Sequence, residues 1–173
     1  KFYSALIVTC FFALSVNLSA QLVVAASGNG NSLAQTLAGN GVTISNVVMN
    51  CPTGAAGTFT GTNTSLGMGS GIVLTSGDVT LTPGPNNTSG AGLDNSGGGD
   101  ADLDNLTSSS TFDACVLEFD MQVLSDSVEF KYSFGSEEYL EYVNGGYNDV
   151  FGFFISGPGI AGSQNIALVP GTT

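Results

Sequence analysis

Hydrophobic positions in this chain repeat mostly with a period of two, the spacing of a strand with one buried face. Residues 114–121 alternate cleanly, with Cys115, Leu117, Phe119 and Met121 on one face and Val116, Glu118 and Asp120 on the other. Residues 128–134 repeat the pattern, setting Val128, Phe130, Tyr132 and Phe134 against Glu129, Lys131 and Ser133. Residues 150–155 are apolar nearly throughout and predict a central strand buried on both faces. Nearer the start, the β-branched run 42–49 predicts a strand reaching Cys51. Residues 58–60 predict a weak strand and 166–169 a further one. Residues 72–74 and 79–81 flank Thr75-Ser76-Gly77-Asp78, whose Gly-Asp pair predicts a tight hairpin.

Helical spacing is rare. Residues 32–38 place Leu33 and Leu37 on one face, with Ser32 or Asn31 to cap the helix and Gly39 to end it. Residues 100–106 predict one helical turn. Residues 83–99 are rich in Gly, Asn and Ser, have almost nothing to bury and predict a flexible loop. Short strands, Gly-rich turns and little helix predict an all-β fold, mainly β with one or two short helices. The expected architecture is an antiparallel, jelly-roll-like β-sandwich.

Lys1, the apolar run 5–16 and Ala20 before Gln21 predict a secretory signal peptide over residues 1–20, with a domain following at 22–173. The apolar run is shorter than the roughly 20 residues that span a bilayer. Removing the leader leaves about 150 residues, enough for one domain with its own core. Cys51 and Cys115 then remain. They predict either one disulfide, which an oxidising compartment favours, or two buried thiols.

Charge narrows the chemistry. Fourteen carboxylates face two lysines, for a net charge of −12, and every carboxylate lies between Asp78 and Asp149. Lys131 is the one base beyond Lys1. Without His or Arg the chain cannot assemble a Ser-His-Asp or Cys-His centre. A single lysine does not neutralise a phosphate backbone, so no nucleic-acid partner is expected. Zinc, copper and non-haem iron normally recruit His or Cys. Oxygen ligands from Asp, Glu, Asn and carbonyls fit calcium instead.

Two acidic clusters are candidates for that calcium. Asp100, Asp102 and Asp104 have the spacing that opens an EF-hand, but Asn105 and Thr111 stand where its Gly and Glu belong. The three aspartates also suit a helix N-terminus with Asp100 as cap. The second cluster is Glu137, Glu138, Glu141, Asn148 and Asp149, of which Glu141 is not carried forward as a ligand. Ser136 capping a turn over residues 137–143 explains the first two without a ligand. It does not explain Asn148 and Asp149, and convergence of Asp149 with the glutamates calls for a cation or a shared proton. Adjacent Glu137 and Glu138 make a poor glycosidase pair, and no catalytic residue is assigned.

At DACVLEFDMQVLSDSVEFKYSFGSEEYLEYVNGGYNDVFGFFISGPGI, residues 113–160, the chain resembles the choice-of-anchor L domain family of exported, surface-attached bacterial proteins, many from Bacteroidetes. FGSEEY and NDVFGFFISGPG are the most specific pieces. GVTISNVVMNC, GSGIVLTSG and GGDADLDNL are similar in content and order. The resemblance implies a β-rich extracellular module, often followed by further domains and a sorting or anchoring signal. It also implies that this chain is an N-terminal part whose sheet is completed further on. The expected function is a secreted or cell-surface, non-catalytic module for adhesion. Its partner would be a surface glycan or protein, with calcium in support and the membrane reached only through elements outside this chain. The alternatives are an accessory or catalytic domain of a secreted hydrolase and a structural spacer in a large surface protein.

Overall fold

The computed structural model describes residues 21–169 apart from Asn63 and Ser108. The expected signal peptide therefore lies outside the described residues. The chain runs β1 (Val23–Ala26), α1 (Gly30–Leu37), β2 (Val42–Asn50), β3 (Ala56–Thr60), β4 (Ser70–Leu74) and a 3-10 turn (Val79–Leu81). It continues through α2 (Ala101–Asp104), β5 (Val116–Val123), β6 (Phe154–Ile155) and β7 (Gln164–Asn165). The fold is mainly β with few short helices, as the pattern predicts. Every ladder is antiparallel, in the orders β1-β3-β4, β2-β5 and β6-β7.

Helix α1 forms where expected, two residues early. Asn29 is its cap, its Oδ1 accepting from the Ser32 amide at 3.0 Å. Leu33 and Ala34 on α1 are wholly buried, and the helix packs on β2, β4 and β5. It thus joins the two longer ladders around a core of Leu33, Ala34, Ile44, Ala55, Ala56, Phe59 and Val79. Gly30 allows this approach, because a Cβ there would stand 2.8 Å from Met49 Cβ.

β2 and β5 pair from Val42↔Val123 to Asn50↔Val116, with a bulge between Ser45 and Val48. Asn46 sits in the bulge at φ 50° and donates its amide to Asp120 Oδ2 at 2.6 Å. The bulge changes which side chains turn inward. Val42 and Ile44 are covered before it, Val47 and Met49 after it. Cys51 and Cys115 flank the last register pair and are joined by a disulfide across 64 residues. Closing that loop stabilises the fold by about 4 kcal/mol through chain entropy.

Four expected elements differ. Residues 79–81 form a 3-10 turn rather than the second strand of a hairpin. Asp78 Oδ1 caps it, accepting from Thr80 N at 2.8 Å and Thr80 Oγ1 at 2.6 Å, while Val79 drops into the core. Residues 128–134 join no ladder. Their alternating aromatics meet residues 150–155 ring to ring: Phe130 with Phe153 at 4.8 Å, Tyr132 with Phe151 at 5.4 Å and Phe134 with Phe151 at 6.3 Å. Residues 150–155 are not a central strand, since only Phe154–Ile155 is in a ladder and Phe151 is 38% exposed. The strand expected at 166–169 is β7, earlier in the chain. There Asn165 Oδ1 takes the Phe153 and Ala167 amides at 2.9 and 3.0 Å, ending the ladder. β1 is not predicted by the hydrophobic pattern.

Candidate functional site

The region around Ser136 folds as expected at its start and departs afterwards. Ser136 Oγ accepts from the Glu138 amide at 3.1 Å, a cap bond. Beyond it, Tyr142 N reaches Glu138 O at 2.9 Å, and tighter bonds follow from Val143 to Leu140 and from Gly145 to Tyr142. The segment is a succession of turns rather than a regular helix.

The loop expected to be flexible crosses these turns. Asn86 donates its side-chain amide to the carbonyls of Glu137 at 2.8 Å and Tyr139 at 3.2 Å. The Tyr142 hydroxyl donates to the Ser89 carbonyl at 2.9 Å. The Glu137 carboxylate lies against Gly92, where a Cβ would displace it. Further along the same loop, the buried Asp113 carboxylate accepts from the amides of Asn95, at 2.8 Å, and Gly97. Asn95 in turn donates its side-chain amide to the carbonyls of Ser76 and Gly77.

Between the crossing and these turns is a cleft of about 220 Å³, half open to solvent, lined by Ser89, Ala91, Glu137, Glu138, Tyr142 and Tyr147. The two tyrosine rings meet edge to face, 5.3 Å between centroids. Glu138 Oε2 is buried there without a hydrogen-bond partner. A carboxylate oxygen taken from water without a donor is costly. The Glu137 carboxyl is held above its usual range, first by loss of water and then by the charges of Asp149 and Glu138. The Glu137 side chain as a whole stays exposed, which keeps this effect moderate.

Asp149 lies within electrostatic reach of Glu137, whose carboxyl its charge helps to hold high. Asn148 beside it is exposed. The other cluster is differently employed. Asp100 Oδ1 caps α2, accepting from Asp102 N at 2.9 Å and Leu103 N at 3.1 Å. Asp104 Oδ1 accepts from Thr111 N at 2.6 Å and Thr111 Oγ1 at 2.8 Å, bonds that hold its carboxyl below the ordinary range. Asp102 stands in the first turn, where the helix dipole favours it. Among the described residues, no three Asp, Glu or Cys side chains stand close enough to hold a metal ion as they are.

Sequence reasoning missed Asn86, Ser89, Gly92, Tyr142 and Tyr147 as site residues. Their only signal was the density of tyrosines: four of the chain's five fall in residues 130–159.

A mainly antiparallel β-fold stapled by a disulfide, with an acidic, tyrosine-lined cavity under a loop, has the features of an extracellular module. The choice-of-anchor L domain matches residues 23–173, and the chain belongs to that family, whose members are secreted or surface-associated. Neither the curated proteins nor the solved structures compared with the chain give a match. No helix among the described residues is long and apolar enough to cross a membrane.

Proposed function

We propose that the chain is a non-catalytic recognition module of a secreted or surface-attached protein. It serves adhesion to a glycan or protein partner through the cavity under the 86–92 crossing, with calcium as the supporting cation. The observation that carries this reading is Glu138 Oε2, buried and unpartnered next to Glu137, whose own carboxyl feels the charge of Asp149. Two carboxylates, Glu137 and Glu138, line the cleft with no base among its lining residues, and Asp149 adds its charge at Glu137, so the missing partner is positive. Calcium accepts carboxylate, carbonyl and hydroxyl oxygens in flexible geometry, the donor types that surround Glu137 and Glu138. The tyrosine rings add an apolar face of the kind on which sugar rings pack. Asp100, Asp102 and Asp104 are left out of this site, because Asp100 and Asp104 already accept backbone amides.

The raised proton affinity of Glu137 beside two further carboxylates favours a second reading, a glycoside hydrolase with Glu137 as general acid. A glycan array and a polysaccharide hydrolysis panel, both run on the full protein, separate the readings. Retention of glycans without cleavage supports the recognition module. Cleavage lost in Glu137→Gln supports the hydrolase. Silence in both assays leaves a structural spacer.

A further inference from the structure

Three Asn-Gly pairs occur among the described residues, beginning at Asn29, Asn40 and Asn144. Asparagine is chemically labile, and a following glycine has no side chain to keep its amide nitrogen from the asparagine Cγ. All three asparagines are exposed, but their surroundings differ. Asn29 caps α1, its Oδ1 accepting from the Ser32 amide at 3.0 Å, and Gly30 after it is packed against Met49. At Asn144 the attacking nitrogen is occupied, since the Gly145 amide donates to the Tyr142 carbonyl at 2.7 Å. Asn40 and Gly41 form the centre of the turn from α1 to β2, closed by the Val42 amide donating to the Gly39 carbonyl at 3.2 Å. Among the described residues, neither the Asn40 side chain nor the Gly41 amide has a hydrogen-bond partner.

We infer that Asn40 is a site of spontaneous covalent modification, deamidating through a cyclic imide formed with Gly41. The Gly41 nitrogen bonds to Asn40 Cγ, the Cγ–Nδ2 bond breaks, and ammonia leaves with the proton that the Gly41 nitrogen carried. Water then opens the ring. Opening at Cγ gives aspartate, and opening at the main-chain carbonyl gives isoaspartate, which routes the chain through one extra carbon. The sequence of steps needs no enzyme, metal or oxidant. Either product places a carboxylate in a stretch, residues 2–77, that otherwise has no charged side chain. That carboxylate stands at a groove lined by Leu37, Val42, Ile44, Phe119 and Met121, where α1 meets the β2–β5 ladder. Isoaspartate also lengthens the main chain within the turn that sets the start of β2. The bonds at risk are Val42 N to Gly39 O and Leu124 N to Gly41 O, the latter 2.9 Å. The modification therefore loosens the junction of α1 with β2 and accumulates with the age of each molecule.

The test incubates the full protein in mildly alkaline buffer and follows each Asn-Gly pair by peptide mass spectrometry, with isoaspartate read by enzymatic methyl transfer. In the folded protein Asn40 is expected to convert about tenfold faster than Asn29 and Asn144, the weight of one hydrogen bond that must break first. In urea the three are expected to converge within about threefold, since the bonds that shield Asn29 and Gly145 are gone. In the isolated isoaspartyl form, the Val42 and Leu124 amides are expected to exchange hydrogen faster than in unmodified protein, with those of β3 unchanged. Conversion of Asn29 or Asn144 as fast as Asn40 in the folded protein, or a tenfold ranking that persists in urea, overturns the inference. Unchanged exchange at Val42 and Leu124 overturns the effect assigned to the modification.

Discussion

Asn86 reaches across 51 residues of sequence to donate its side-chain amide to the Glu137 carbonyl at 2.8 Å, and through the same nitrogen to that of Tyr139. One side chain thus anchors a loop with almost nothing to bury onto the most acidic turn of the chain. Asn86→Ala removes both bonds at an exposed position. The expected loss is about 1 kcal/mol in urea unfolding, with faster exchange confined to residues 86–92. Asn87→Ala, next to it, is expected to change neither.

The core between the two longer ladders depends on α1. Leu33 is fully buried, and Leu33→Ala is expected to lower stability by about 2–5 kcal/mol. Val23 on β1 is 66% exposed, so Val23→Thr is expected to stay within about 0.5 kcal/mol. Paired thermal melts check both.

The disulfide closes a long loop next to the last register pair of β2 and β5. Replacing Cys51 and Cys115 together by serine is expected to cost about 4 kcal/mol, seen as an earlier urea midpoint. Reductant is expected to lower the wild-type midpoint and leave the double variant unmoved.

Acid and neutral pH are expected to act on different carboxyls with opposite sign. Asp104 and Asp78, held low by Thr111 and Thr80, lend stability above their ordinary range that is lost as pH falls through their lowered values. Glu137, held high, favours the fold in acid, and that contribution is lost as pH rises through its raised value. In melts across the acid range, Asp104→Asn is therefore expected to flatten the acid limb. Glu137→Gln is expected to flatten the decline towards neutral pH.

How far the sequence could be read depends on what its periodicity reports. In β5 the alternation of Leu117, Phe119 and Met121 predicted both the strand and its inward face, because one face is covered and the other is not. The same alternation at Phe130, Tyr132 and Phe134 predicted a strand that joins no ladder. Period two shows which side chains share a face, and here that face is matched by Phe151 and Phe153 through their rings. The reversal of parity in β2 was hidden, since nothing in VTISNVVM marks Asn46 as the bulge rather than as an exposed strand position. Asp78 illustrates a competing rule. Read as a turn residue it predicted a hairpin, but its carboxylate caps the 3-10 turn and sends Val79 into the core. Of the candidate site, Glu137, Glu138 and Asp149 were legible as charge. The crossing at residues 86–92 was not, because a Gly, Asn and Ser composition does not disclose which distant carbonyls its amides will find.

The most direct measurement of the central claim is the melting temperature of the full protein in calcium and in chelator, for wild type, Glu138→Gln and Asp149→Asn. With calcium at about a hundred times its dissociation constant, the account predicts a wild-type rise of about 5–10 °C that both variants largely lose. A wild type that melts alike with and without calcium, or variants that keep the full rise, would contradict it.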